Sequence, residues 1–113
     1  MIRIIIYKNK EKECIGCCAI GHAGMAASGD DIVCAAVSFL VENTINSIEL
    51  LAGQKVELIT NEDEGLLRFL IDGSLSRDTS LLLKAMVLGM EQIASDDSYK
   101  QYLSLTYEEV ERP

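Results

Sequence analysis

Hydrophobic and polar positions change period several times along the chain, and each change predicts an element. Residues 2–7 alternate Ile2, Ile4 and Ile6 with Arg3, Ile5 and Tyr7, which predicts a strand with at least one buried face. The polar run Lys8-Asn9-Lys10-Glu11-Lys12 reads as a turn into a second strand from about Glu13 to Gly21, so the two form a hairpin. Gly16 and Gly21 weaken or end that strand. Residues 22–30 are small and glycine-bearing and read as a mobile loop. Asp30 or Asp31 then caps a helix, because its carboxylate can accept from free first-turn N–H groups. Val33, Ala36, Val37, Leu40, Val41, Ile48 and Leu51 fall close to a 3.6-residue period, and Gly53 supplies a stop.

The pattern then returns to strands. Val56–Thr60 and Leu66–Ile71 pair as a hairpin across the acidic loop Asn61-Glu62-Asp63-Glu64-Gly65. Asp78 caps a second helix with Leu82, Met86, Met90 and Ile93 on one stripe, and Asp96-Asp97 ends it. A final strand covers Gln101 to Tyr107, and the tail from Glu108 to Pro113 should fray. The order ββαββαβ predicts an α+β layer fold with a mostly antiparallel sheet and two helices. At 113 residues the chain makes one domain that needs neither metal nor disulfide to fold.

Composition narrows the function classes. Apolar residues make up 49% of the chain and proline occurs once, which argues against disorder. No apolar run approaches a membrane span, and the N-terminus is too short and too alternating for a secretory signal, so a cytoplasmic protein is expected. The net charge of −8 disfavours direct nucleic-acid binding and favours cationic partners, although acidity also serves solubility. Cys14, Cys17, Cys18 and Cys34 should then be thiols, leaving inert core, metal ligands or a reactive thiolate as readings.

His22 is the only histidine and follows a strand beside Gly21, at the mouth of the loop, which suits acid–base work as well as a structural role. With Asp31 as cap, Cys34 is the third helical residue, where first-turn N–H groups favour a thiolate. The Asp30-Asp31 pair opposes that, and alanine-rich surroundings also suit a buried, inert cysteine. Ser38 lies one turn below Cys34 on the same face. A strand end, a loop and a helix start can bring His22 and Cys34 together as a base beside a nucleophile. Cys14-Ile15-Gly16-Cys17-Cys18 contains a CxxC, but no second pair follows it. On an unbroken strand Cys14 and Cys18 face one way and Cys17 the other, which argues against zinc. A zinc or redox-sensing protein and a non-enzymatic acidic interaction module are the rival readings.

Gly21-His22-Ala23, a Gly-containing loop, and then Gly29-x-Asp31-x-Val33-Cys34-Ala35-Ala36-Val37-Ser38 resemble the ribosomal-processing cysteine protease family, Prp, over nearly the whole chain. The resemblance implies a cysteine endopeptidase that removes the N-terminal extension of large-subunit ribosomal protein twenty-seven. It makes His22 and Cys34 the catalytic pair, with Gly21, Asp31 and Ser38 in support. It places Ala23, Gly24, Met25, Ser28 and Gly29 in a loop that stays flexible until substrate binds, and implies a homodimer without a cofactor. The family loop often carries an aromatic two or three residues after the histidine, where this chain has Gly24-Met25. Cys14, Cys17 and Cys18 lie outside the family pattern, and a disulfide between Cys18 and Cys34 would be one route of regulation.

Overall fold

In the computed structural model the described residues are 1–21 and 28–112, with backbone alone described over 28–31. Their elements are β1 (Ile2–Lys8), β2 (Cys14–Ile20), α1 (Ser28–Leu50), β3 (Val56–Asn61), β4 (Leu66–Ile71), α2 (Arg77–Ser95) and β5 (Leu103–Glu109), with a single 3₁₀ turn at Lys100–Tyr102 before β5. The order is the expected ββαββαβ. The five strands form one sheet ordered β3-β4-β2-β1-β5, antiparallel throughout except for the β1–β5 pair. Each helix therefore spans a crossover, α1 from β2 to the edge strand β3 and α2 from β4 to the edge strand β5.

Both helices pack on the same face of the sheet. Val33, Val37, Val41, Ile45 and Ile48 of α1 recur every three or four residues and are buried against Ile2, Ile4 and Ile6 of β1 and Phe69 and Ile71 of β4. Leu83, Met86 and Met90 of α2 complete this core. Full burial of one such side chain stabilises the fold by about 1.5–3 kcal/mol, so the helical stripes rather than helix propensity hold the layer together. Ala36 and Leu51, expected on the buried stripe of α1, are exposed. Ile32–Leu50 is long and apolar enough to span a membrane by length and composition, contrary to the sequence expectation, but its apolar stripe lies on the sheet.

Several features differ from expectation, each for a physical reason. Helix α1 begins at Ser28, so Ser28 and Gly29 are helical and Asp31 is a first-turn residue, not the cap. Helix α2 begins at Arg77 with Ser76 as its cap, not Asp78. The Ser76 hydroxyl accepts from the Thr79 N–H at 3.1 Å, while Asp78 sits in the first turn, where its charge opposes the helix dipole favourably. Strand β2 bulges, with Tyr7 opposite Gly16 and Lys8 opposite Cys14, so Ile15 has no partner on β1. Finally, the tail is held down. The Val110 N–H donates to the Lys8 carbonyl at 2.8 Å, and Arg112 pairs with Glu57 of β3.

Candidate active site

Gly21 ends β2 and fixes the chain just before His22. Its φ is +136°, and a Cβ there would lie 2.7 Å from the Met1 carbonyl oxygen. Its N–H donates to the Gly65 carbonyl at 3.2 Å, tying the end of β2 to the β3–β4 turn. Only glycine meets both the backbone angle and the close approach.

The same turn is braced from within. The Asn61 side-chain oxygen accepts from the N–H groups of Asp63 at 3.0 Å and Glu64 at 3.3 Å. The Gly65 N–H, at a residue with φ of +62°, returns to the Glu62 carbonyl at 3.2 Å.

Between this turn and α1 runs an open groove of about 360 Å³. Gly21, Cys34 and Ser38 line it, so three of the predicted site residues come together there. Cys34 is half-buried and packs against the hydrophobic core. Sequence reasoning missed the facing wall, which Thr60, Asn61, Glu62 and Gly65 supply, and also Glu42 on α1. Glu42 continues the stripe of Cys34 and Ser38 at four-residue spacing, a signal available in the sequence. The facing wall was not available, because it follows from β3 and β4 lying beside β2.

His22, Ala23, Gly24 and Met25 lie outside the described residues, as does the rest of the expected loop up to Ala27. The longer helix changes the reading of the sulfur. Cys34 is the seventh residue of α1 rather than the third. The field of the free N–H groups falls off within the first turn, so the helix start does not by itself favour a thiolate at Cys34.

The other cysteines are in different settings. The bulge puts Cys14 on the helix-covered face with Cys17, while Cys18 faces the opposite side. The alternation expected for an unbroken strand is therefore overturned. Cys17 is fully buried with its sulfur 3.9 Å from the Met86 sulfur, and burial raises its pKa. Burial also pushes the Cys14 thiol up to about 11, against a weaker opposing effect of its contact with the Gly16 carbonyl at 3.5 Å. Cys18 is raised by burial and packs beside Tyr7, Ile15 and Leu70 on the face without helices. Cys18 and Cys34 thus sit on opposite sides of the sheet, which rules out a disulfide between them in this fold. Among the described residues no three His, Cys, Asp or Glu side chains gather as a metal set.

Residues 1–104 match the family model of the cysteine protease Prp. A Bacillus subtilis (strain 168) protein called the ribosomal processing cysteine protease Prp is 33% identical over 110 residues, spanning 94% of this chain and 96% of its own. A crystal structure of a Streptococcus mutans protein superposes with a TM-score of 0.85 at 28% identity, covering 97% of this chain and 99% of its own. The protease Prp from S. aureus, solved with a substrate peptide, superposes at 0.86 over 96% of this chain and 100% of its own, and at 23% identity that likeness is one of fold. A half-buried cysteine on an open groove, a fold that superposes over nearly the full length and a sequence match of the same extent agree: this chain belongs to the Prp family of cysteine proteases.

Proposed function

We propose that this protease removes the N-terminal extension of large-subunit ribosomal protein twenty-seven in the cytoplasm, using Cys34 as nucleophile and His22 as general base. The observation that carries the reading is that Cys34 lines the same groove as Gly21, the residue directly before His22. The B. subtilis relative, named for ribosomal processing, supports the substrate class. The basic character of ribosomal proteins suits a chain of net charge −8.

With the helix start too far away to activate the sulfur, that task passes to the imidazole. His22 takes the proton from the Cys34 thiol. The thiolate attacks the scissile carbonyl carbon, the C–N bond breaks, and imidazolium returns its proton to the departing amine. Water, deprotonated by His22, then hydrolyses the thioester and frees Cys34. Gly21 sets the point from which the histidine enters, and Ser38 lines the groove one turn below the sulfur. Asp31 supports the site, Ala23, Gly24, Met25, Ser28 and Gly29 belong to the segment that meets the peptide, and the active species is a homodimer.

The test is cleavage of the purified extended ribosomal protein, followed by mass spectrometry. Wild type is expected to release the extension, and Cys34→Ala and His22→Ala to lose at least about a hundredfold in kcat/KM, the lower bound for removing a positioned acid–base group. Cleavage by Cys34→Ala at the wild-type rate would refute the assignment of the nucleophile. An intact extension with wild-type enzyme would refute the substrate.

A further inference from the structure

The groove beside Cys34 carries a charge pattern that the chemistry of peptide hydrolysis does not need. Glu42 lines it from α1 and Glu62 from the β3–β4 turn, so carboxylates stand on both walls. Neither is in an ion pair with a described residue, and among the described residues lining the groove there is no lysine or arginine. Both are exposed to water and to anything that lies in the groove.

The spacing along the helix supplies a ruler. Cys34, Ser38 and Glu42 form one stripe, and at 1.5 Å per residue Glu42 stands about 12 Å down the axis from Cys34. An extended peptide advances about 3.3 Å per residue. A substrate laid along α1 with its scissile carbonyl at Cys34 therefore brings a side chain three or four residues away to Glu42.

We infer that Glu42, assisted by Glu62 across the groove, selects a lysine or arginine side chain three or four residues from the scissile peptide bond. The inference rests on Cys34 as nucleophile. Glu42 touches substrate away from the reacting atoms, so it acts on recognition and not on the bond-breaking step. Solvent-exposed carboxylate–ammonium pairs are individually weak, so the expected selectivity is roughly threefold to tenfold for the pair of glutamates together.

The experiment uses peptides spanning the cleavage junction of the extended ribosomal protein, with lysine, glutamate or norleucine placed at each position in turn. The readout is kcat/KM for lysine and for glutamate, each relative to norleucine, at every position. Wild type is expected to prefer lysine at one position three or four residues from the cut. Glu42→Gln is expected to reduce that preference, the Glu42→Gln/Glu62→Gln double variant to abolish it, and Glu42→Lys to shift it toward glutamate. The effect falls on KM and on that position alone, which a general disturbance of the groove would not produce, and raised salt weakens it in wild type. A lysine preference that survives in the double variant, or no preference at that distance in wild type, overturns the inference. Cleavage by Cys34→Ala would instead remove the nucleophile on which it rests, so the two failures are distinguishable.

Discussion

Replacing Gly21 by alanine tests how the end of β2 delivers the chain to the site. The backbone there has a φ of +136°, a region that L-residues enter at a strain of about 1–3 kcal/mol. The new methyl would lie 2.7 Å from the Met1 carbonyl oxygen and 3.2 Å from the Ile2 Cα, backbone atoms where the chain enters β1, a strand paired on both sides. They cannot swing aside as a side chain end can, so β1 must shift against β2 near the Arg3–Ile20 pair. Strain and overpacking together come to roughly 2–4 kcal/mol, which for a domain of this size is a fall of about 10–20 °C in Tm. Gly53→Ala is the control. Gly53 also has a positive φ, +64°, but nothing lies within 4 Å of its added Cβ, so its cost is the left-handed strain alone, about 1–2 kcal/mol. Thermal unfolding followed by circular dichroism compares the two. Peptide cleavage well below both midpoints should also fall in Gly21→Ala alone, because the shift disturbs the Gly21–Gly65 hydrogen bond at the groove. Equal losses of Tm in the two variants would refute the close-approach argument.

Two further outcomes follow from the titrating groups. Iodoacetamide at pH 8 should label Cys34 first, because Cys14, with a pKa of about 11, is then ionised in about one molecule in a thousand, and burial raises Cys17 and Cys18 as well. Peptide mapping that found Cys14 or Cys18 labelled as fast as Cys34 would overturn that ordering. The Tyr107 hydroxyl donates to the Glu91 carboxylate at 2.6 Å, which raises its pKa from 10.0 to about 12. A raised folded-state value means that this contribution to stability is whole below pH 10 and is lost as the pH rises toward 12. Glu91→Gln should return the tyrosine toward 10 in an ultraviolet titration, and an unmoved midpoint would show that the carboxylate is not the cause.

The elements were legible because their periods are clean. Ile2, Ile4 and Ile6 alternate without a break, and the α2 stripe of Met86 and Met90 keeps helical spacing, so burial follows directly. The helix starts were misread for one shared reason. An aspartate in a first turn and an aspartate at a cap both sit well beside free N–H groups, so sequence alone favoured Asp31 and Asp78 as caps, although α1 starts four residues and α2 two residues earlier than those caps imply. At α2 the choice goes to Ser76, whose hydroxyl accepts from the Thr79 N–H and also donates to the buried Thr79 hydroxyl at 2.9 Å. The tail looked like loose polar sequence because its anchors, Lys8 and Glu57, are distant in the chain.

The cysteine faces show a deeper limit, since one extra residue inverts every assignment beyond it. Gly16 marks a weak point in Cys14-Ile15-Gly16-Cys17-Cys18, but it does not say that Ile15 is the extra residue, and its own constraint lies on the other side, where a Cβ would clash with the Phe69 carbonyl oxygen of β4. That close approach became visible only once β4 was known to lie beside β2. The same adjacency brings the β3–β4 turn to Gly21 and builds the wall opposite Cys34. Sheet order is a property of the whole chain, whereas Cys34, Ser38 and Glu42 belong to one helix. The helical half of the groove could therefore be read in advance, and the acidic turn that faces it could not. Substitutions at Glu42 and Glu62 separate these two halves, because each removes one carboxylate from one wall while leaving Cys34 in place.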